Sequence, residues 1–116
     1  MLISLITAVL ATLTATPAAQ DTATKTARCV ITSGGGNYTG PCQFSADNTG
    51  SFVLTRVDNA VFWGEVVSLG VYIGSPGNAN LVIATRDGTS HASGTLKRSE
   101  ADRACWAGDA INICTY

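Results

Sequence analysis

The chain has 116 residues, of which seven are Lys or Arg and eight are Asp or Glu, so its formal net charge is −1 at pH 7. No cluster of basic residues stands out along the sequence, which argues against a protein that binds nucleic acid or anionic lipid. With 46% hydrophobic and 13% charged residues, the composition is that of a folded protein rather than a disordered one.

The N-terminal stretch has the features of an export signal. An apolar run from Leu2 to Leu10 precedes the first charged residue, Asp21. The run is too short to span a bilayer, which takes about 20 apolar residues, and small residues follow it at Ala18 and Ala19. We therefore predict a signal peptide over residues 1–19, no membrane span, and a secreted or periplasmic bacterial protein. A buried N-terminal strand or helix is the alternative, since the stretch has no Lys or Arg.

Removal of this signal leaves slightly fewer than 100 residues, enough for one small domain. A domain of this size buries only about 60 to 65% of its unfolded surface, so disulfides are the usual supplement in exported chains. We predict a flexible N-terminal segment over residues 20–28 and a single β domain over residues 29–116.

The mature chain is divided by turn-forming residues at short intervals. Runs rich in β-branched and aromatic residues lie between these turns, as in antiparallel strands. The runs are RCVITS, CQF, SFVLTRV, VFWGEVVSLGVYIG, NLVIATR, TLKR and INICTY. The longest run reads as one long strand, with glycines at bulges or curves. The sequence predicts an all-β fold, a small antiparallel sandwich or curled barrel of six to eight short strands, stapled by disulfides.

Four cysteines, Cys29, Cys42, Cys105 and Cys114, lie in the mature chain. Their spacing matches neither a zinc site nor a redox C-x-x-C pair, and His91 is the only imidazole. We therefore predict disulfides and no metal or cofactor. Of the three possible pairings we favour the local one, which joins the first cysteine to the second and the third to the fourth.

The register of the first hairpin depends on its glycine turn. A two-residue turn at Gly35–Gly36 places Cys29 directly opposite Cys42, in a pair without mutual backbone hydrogen bonds. Pro41 would then need a strand edge or a bulge, because it has no N–H to donate.

The register of the last hairpin is open between two alternatives. A two-residue turn at Gly108–Asp109 leaves Cys105 diagonal to Cys114. A looser loop from Gly108 to Ile111 places the two cysteines directly opposite each other. Either arrangement brings the two thiols together.

The sequence contains few features that indicate catalysis. The single His91 lies in a predicted loop, and the motifs G-x-S-x-G, H-E-x-x-H and G-x-x-x-x-G-K-[ST] are absent from the sequence. We therefore predict a non-catalytic protein. Aromatic residues are better candidates for contact with a sugar or a protein, and they are Trp63, Trp106, Tyr38, Tyr72 and Tyr116. The alternative for Trp63 and Trp106 is a place in the core.

Three segments, GNYTGPCQF, GSF and GTLKRSEADRACWAGDAINICTY, resemble a pattern in small secreted proteobacterial proteins with no assigned function. The resemblance covers nearly the whole mature chain, and its most specific part is A-C-W followed by I-x-I-C. It implies an exported, β-rich domain stabilised by disulfides, and it implies no ligand.

The segment HASGTLKRSEADRACWAGDAINI is more faintly similar to periplasmic and membrane-bound inhibitors of C-type lysozyme, which are eight-stranded barrels. Ser93 matches the loop serine that those inhibitors insert into the lysozyme cleft. The second motif of the family matches Trp106–Ala110, with Ala107 where the family has lysine. The resemblance also implies a bridge from an early to a late cysteine, here Cys29 to Cys114.

These observations favour an exported, non-catalytic, monomeric binding module for an unknown protein or glycan. A lysozyme inhibitor is the first alternative and a glycan-binding module the second. The candidate partner-binding residues are Ser93, Tyr38, Trp106 and Asp109.

Overall fold

The computed structural model of the protein describes residues 23–116, which form eight β-strands and no helix. The strands are β1 (Ala23–Ser33), β2 (Asn37–Ala46), β3 (Phe52–Arg56), β4 (Val66–Ser75), β5 (Asn78–Thr85), β6 (Ser90–Arg98), β7 (Cys105–Ala107) and β8 (Ile111–Thr115). Each strand pairs antiparallel with the next, and β8 pairs with β1, which closes a barrel. The predicted all-β fold is confirmed, and the barrel is the architecture observed.

The connections between strands alternate between two ends of this barrel. The upper end carries loops 34–36, 57–65, 86–89 and 108–110, and the lower end carries loops 47–51, 76–77 and 99–104. No helix among residues 23–116 has the length and apolarity to cross a membrane. The predicted signal peptide, residues 1–19, lies outside the described residues.

Aliphatic side chains and one disulfide fill the barrel interior. Successive side chains of a strand point to opposite faces, so every second residue faces inward, and eight strands leave a lumen that side chains can fill. The largest fully buried side chains are Ile31, Leu54, Leu69, Leu81, Leu96, Ile113, Val71, Cys29 and Cys42. Phe62 covers this core at the upper end, where its ring packs edge-on against Tyr38 with centroids 5.0 Å apart.

Strand β1 begins earlier than predicted, and β4 begins later. The sequence predicts a flexible segment over residues 20–28, yet Ala23–Arg28 is part of a strand. The reason is that β2 pairs with this segment, beginning with Ala46 opposite Ala23. The predicted long strand over residues 61–74 loses its first residues to a turn. There the Val66 N–H donates to the Trp63 carbonyl at 2.9 Å, so the chain reverses before β4.

Both local disulfides are formed, and the four cysteines of the chain all lie within the described residues. The favoured pairing is confirmed, whereas the Cys29–Cys114 bridge implied by the lysozyme-inhibitor resemblance is not formed. The predicted register of the first hairpin is wrong by two residues, because Cys29 faces Gly40 and its disulfide partner is diagonal to it. Thr32 pairs with Asn37, so the loop is centred one residue earlier than a Gly35–Gly36 turn. Within this loop the Ser33 Oγ accepts a hydrogen bond from the Gly36 N–H at 3.0 Å.

The last hairpin adopts the looser of the two predicted loops. Gly108 donates a backbone hydrogen bond to Ile111 at 2.8 Å, and Cys105 directly faces Cys114 with Cα atoms 4.0 Å apart. Pro41 lies at a strand edge, as predicted, because β3 pairs with β2 only from Cys42 onward and leaves that side of Pro41 unpaired.

Candidate functional site

A cleft of about 280 Å³ opens in the barrel wall near the upper end. It exists because β7 has only three residues and pairs with β6 through Lys97 and Arg98 alone. The upper part of β6, Ser90–Thr95, therefore pairs with β5 and with no other described strand, and all six residues are exposed. The residues lining this gap are Ser33, Gly34, Gly35, Trp63, Leu81, Ile83, Ser93, Ala110 and Ile111. We call it the Ser93 cleft.

Ser93 lies in a β-bulge at the rim of this cleft. A shift of register between Asn80 and Val82 leaves Ser93 and Gly94 together opposite Leu81. Gly94 has a φ of +107°, a conformation that a residue with a β-carbon rarely adopts. Bulges recur beside binding sites because they change the direction of a side chain. The Ser-Gly dipeptide in a strand is thus the local signal that marks this position.

Trp63 forms one wall of the cleft by packing on the glycine loop. A β-carbon added to Gly36 would lie 2.5 Å from Trp63 Cγ, so the indole packs directly on the loop backbone. Ser33 holds that backbone in place, since its hydroxyl donates to the Gly36 carbonyl at 2.6 Å. The glycine run predicts a turn but carries no signal for its contact with Trp63, which sequence reasoning missed.

The floor of the cleft is aliphatic and its surroundings are polar. Leu81, 1% exposed, and Ile83 come from the inner face of β5. Asp109 is exposed on the neighbouring loop 108–110 and lines an adjoining groove that shares Ala110 with the cleft. Two of the four predicted partner-binding residues, Ser93 and Asp109, therefore lie on one continuous surface.

The other two predicted partner-binding residues lie elsewhere. Trp106 is only 3% exposed and belongs to the core. This confirms the alternative prediction for Trp106, which placed it in the core. Tyr38 is half-buried, and its hydroxyl donates to the Pro41 carbonyl at 2.7 Å. Arg56 lies over the Tyr38 ring, with its guanidinium carbon 5.0 Å from the ring centroid, and Phe62 packs against the same ring. Of the five aromatic candidates, Tyr72 and Tyr116 are the exposed ones.

His91 is exposed on β6 and does not line the Ser93 cleft. The Ser93 hydroxyl donates to the His91 main-chain carbonyl at 3.4 Å rather than to its imidazole. Asp87 has a pKa lowered to about 2, chiefly by hydrogen bonds from Thr85 and Thr89 and least by the charge of His91. Among residues 23–116, no three His, Cys, Asp or Glu side chains group as metal ligands would.

The upper end of the barrel carries an excess of negative charge. Its loops hold four acidic residues, Asp58, Glu65, Asp87 and Asp109. Two arginines offset half of them: Arg56 bonds to Asp58 at 2.6 Å, and Arg86 lies 4.0 Å from Glu65. The hydrogen bond from Arg56 also lowers the pKa of Asp58. Asp87 and Asp109 are therefore the acidic residues of these loops that lie outside the two ion pairs.

Fold and site together define a disulfide-stapled, eight-stranded antiparallel barrel with an open seam beside β6. Comparison of the chain with protein-family models, with curated proteins and with solved structures finds no match.

Proposed function

We propose that the protein is an exported, non-catalytic, monomeric binding module that recognises a protein partner through the Ser93 cleft. The gap in the barrel wall is the observation that carries this proposal, because it joins an aliphatic floor, an indole wall and a polar rim. Binding sites in proteins combine these same elements, a concave apolar surface with a few convergent polar groups.

The shape of the gap favours a protein segment over a small molecule. At about 280 Å³ the cleft is slightly smaller than the usual range for ligand pockets, about 300 to 1,000 Å³, and fits one or two side chains. The exposed edge of β6, Ser90–Thr95, runs along it and has no described strand on its outer side. An extended segment can pair with such an edge through its main chain while a side chain enters the adjoining pocket.

Export is supported by two independent features. The N-terminal sequence has the pattern of a secretory signal, and all four cysteines are in disulfides. Structural disulfides form and persist in oxidising compartments such as the periplasm and the cell exterior.

Ser93→Arg tests the cleft directly. Its long charged side chain blocks the rim without entering the core, so we expect at least about a tenfold loss of a partner retained from periplasmic or culture fluid. Retention on immobilised protein is the measurement. Thr39→Arg is the matched control, because it adds the same charge at an exposed position of β2 outside the cleft. Equal retention by both variants would contradict the proposal.

Inhibition of a C-type lysozyme is the second candidate function. It is favoured by one observation: the two segments that carry that resemblance meet, since Ser93 and Ala110 line the same cleft. We expect near-stoichiometric inhibition of lysozyme turnover, weakened about tenfold or more by Ser93→Ala. Thr39→Ala serves as the control on β2. Unchanged lysozyme activity in the presence of excess folded protein would dismiss this candidate.

A further inference from the structure

A second, larger cavity of about 540 Å³ lies at the lower end of the barrel. Its floor is apolar and its rim is basic. Phe44, Phe52, Ile73 and Trp106 form the floor, and Arg98 and Arg103 lie at the rim. We call this cavity the arginine basin. It is at the opposite end of the barrel from the loops that surround the Ser93 cleft.

The floor of the basin is a packed aromatic surface. Phe44 and Phe52 are stacked with ring centroids 4.7 Å apart and planes inclined by 26°. Phe52 and Trp106 are 5% and 3% exposed, so each offers the basin only part of a ring that the core holds in place. Such a surface accepts an apolar group without rearrangement of the protein.

Two basic side chains, one on β1 and one on β6, lie on the inward-facing side of their strands at the lower end of the barrel, beyond the buried core. Arg98 follows the buried Leu96 by two positions and directly faces Trp106, with its guanidinium carbon 5.4 Å from that ring. Lys25 directly faces Phe44, and its Nζ lies 5.4 Å from that ring. Alternation along a strand therefore places one cation on the inward-facing side of β1 and one on that of β6, each at the lower end of the barrel.

These cations have no counter-ion within the part of the chain that the structure describes. The ion pairs found there involve Arg56 and Arg86 of the upper end, and no acidic side chain lines the basin. Asp102 precedes Arg103, but its carboxylate accepts hydrogen bonds from the Tyr116 hydroxyl at 2.6 Å and from the Ala104 N–H at 3.0 Å.

The position of Arg98 is fixed by its own hydrogen bond. Its Nε donates to the Arg103 carbonyl at 2.8 Å, which ties the end of β6 to loop 99–104. The two terminal nitrogens of a guanidinium held in this way remain available to a carboxylate in a two-point contact.

We propose that the arginine basin binds an amphiphilic anion, a carboxylate carried on an alkyl chain. The aromatic floor takes this alkyl body, and Arg98 and Arg103 take the carboxylate. The volume of about 540 Å³ lies within the usual range for small-ligand pockets. This site is independent of the partner proposed for the Ser93 cleft.

Calorimetric titration of the whole chain with decanoate tests the proposal. We expect saturable binding at one site, with decanol at least about tenfold weaker because it lacks the charge, and with no binding of acetate because it lacks the alkyl body. In a Trp63→Phe variant the single remaining indole is Trp106, whose emission should change as decanoate binds.

Two variants, each of which lacks one positive charge, distinguish a role of Arg103 in binding from a role in the structure. Arg103→Gln should weaken decanoate about tenfold, since its side chain lines the basin and only its carbonyl holds Arg98. Lys97→Gln is the matched control, because Lys97 adjoins Arg98 but lines no part of the basin. Ser93→Arg should also leave decanoate affinity unchanged, which keeps this site distinct from the cleft.

Four outcomes would overturn the proposal. Equal affinity for decanol would show a merely apolar surface, and equal affinity for acetate would show an adventitious anion contact. Equal affinity of Arg103→Gln and Lys97→Gln would assign the arginines a structural role alone. Binding to phosphatidylglycerol vesicles without any binding of decanoate would identify a membrane-surface contact instead.

Discussion

Replacing Cys29 and Cys42 together by alanine is expected to lower the free energy of unfolding by about 3 to 5 kcal/mol. Closing a loop of this length removes about 3 kcal/mol of chain entropy from the unfolded state. Both cysteines are fully buried in the core, so truncation also leaves a cavity that adds to the cost. A domain of this size has little stability beyond that amount.

The second disulfide provides the comparison for the first. Cys105–Cys114 closes a shorter loop and is slightly exposed, at 6% and 4%, so its removal is expected to cost about 2 to 3 kcal/mol. Its loss should loosen β7, which pairs with β6 at only two positions.

Thermal and denaturant unfolding without reductant measure both disulfide variants. For a domain of about 100 residues, each kcal/mol shifts Tm by roughly 4 to 8 °C. The first variant should therefore melt at least about 12 °C below the native protein, and further below it than the second variant. A loss under about 1 kcal/mol for both pairs would contradict the role given to them.

Gly36→Ala is expected to lower the free energy of unfolding by about 1 to 3 kcal/mol, the usual cost of an overpacked contact. The added β-carbon would lie 2.5 Å from Trp63 Cγ and 2.7 Å from its Cβ, so the whole indole must move. Because Trp63 forms a wall of the Ser93 cleft, the same change should also weaken partner binding.

Gly34→Ala is the matched control, since a β-carbon there meets no atom within 4 Å. Denaturant unfolding and tryptophan emission of the two variants give the comparison. Gly36→Ala should shift both readouts, and Gly34→Ala should shift neither. Identical behaviour of the two variants would mean that Trp63 is free to leave the glycine loop at no cost.

Local patterns account for the parts of the fold that the sequence predicts. Turn residues between β-branched runs predict an all-β chain, and the spacing of Cys105 and Cys114 predicts a hairpin bridge. Each turn, and the bridge between Cys105 and Cys114, depends on residues within a single hairpin. The burial of Trp106 is not decided by such local patterns, because the sequence around it is compatible with a buried or an exposed ring, and the fold buries it.

The start of β1, the register of the first hairpin and the two cavities depend on longer-range contacts. Ala23–Arg28 is strand because β2 lies beside it, and no residue within that segment requires it. Gly35–Gly36 is compatible with a two-residue turn, but the Ser33 hydroxyl forms hydrogen bonds that favour a longer loop.

The sequence by itself therefore determines a small all-β protein and favours local cysteine pairs among three possible pairings, because side-chain alternation and turn chemistry act over a few residues. Only the tertiary structure decides that a short β7 leaves the Ser93 cleft open beside β6. The same is true of the arginine basin, where Phe44 and Arg98 come from strands far apart in the chain. Closure of the barrel brings such residues together, and closure is a property of all eight strands at once.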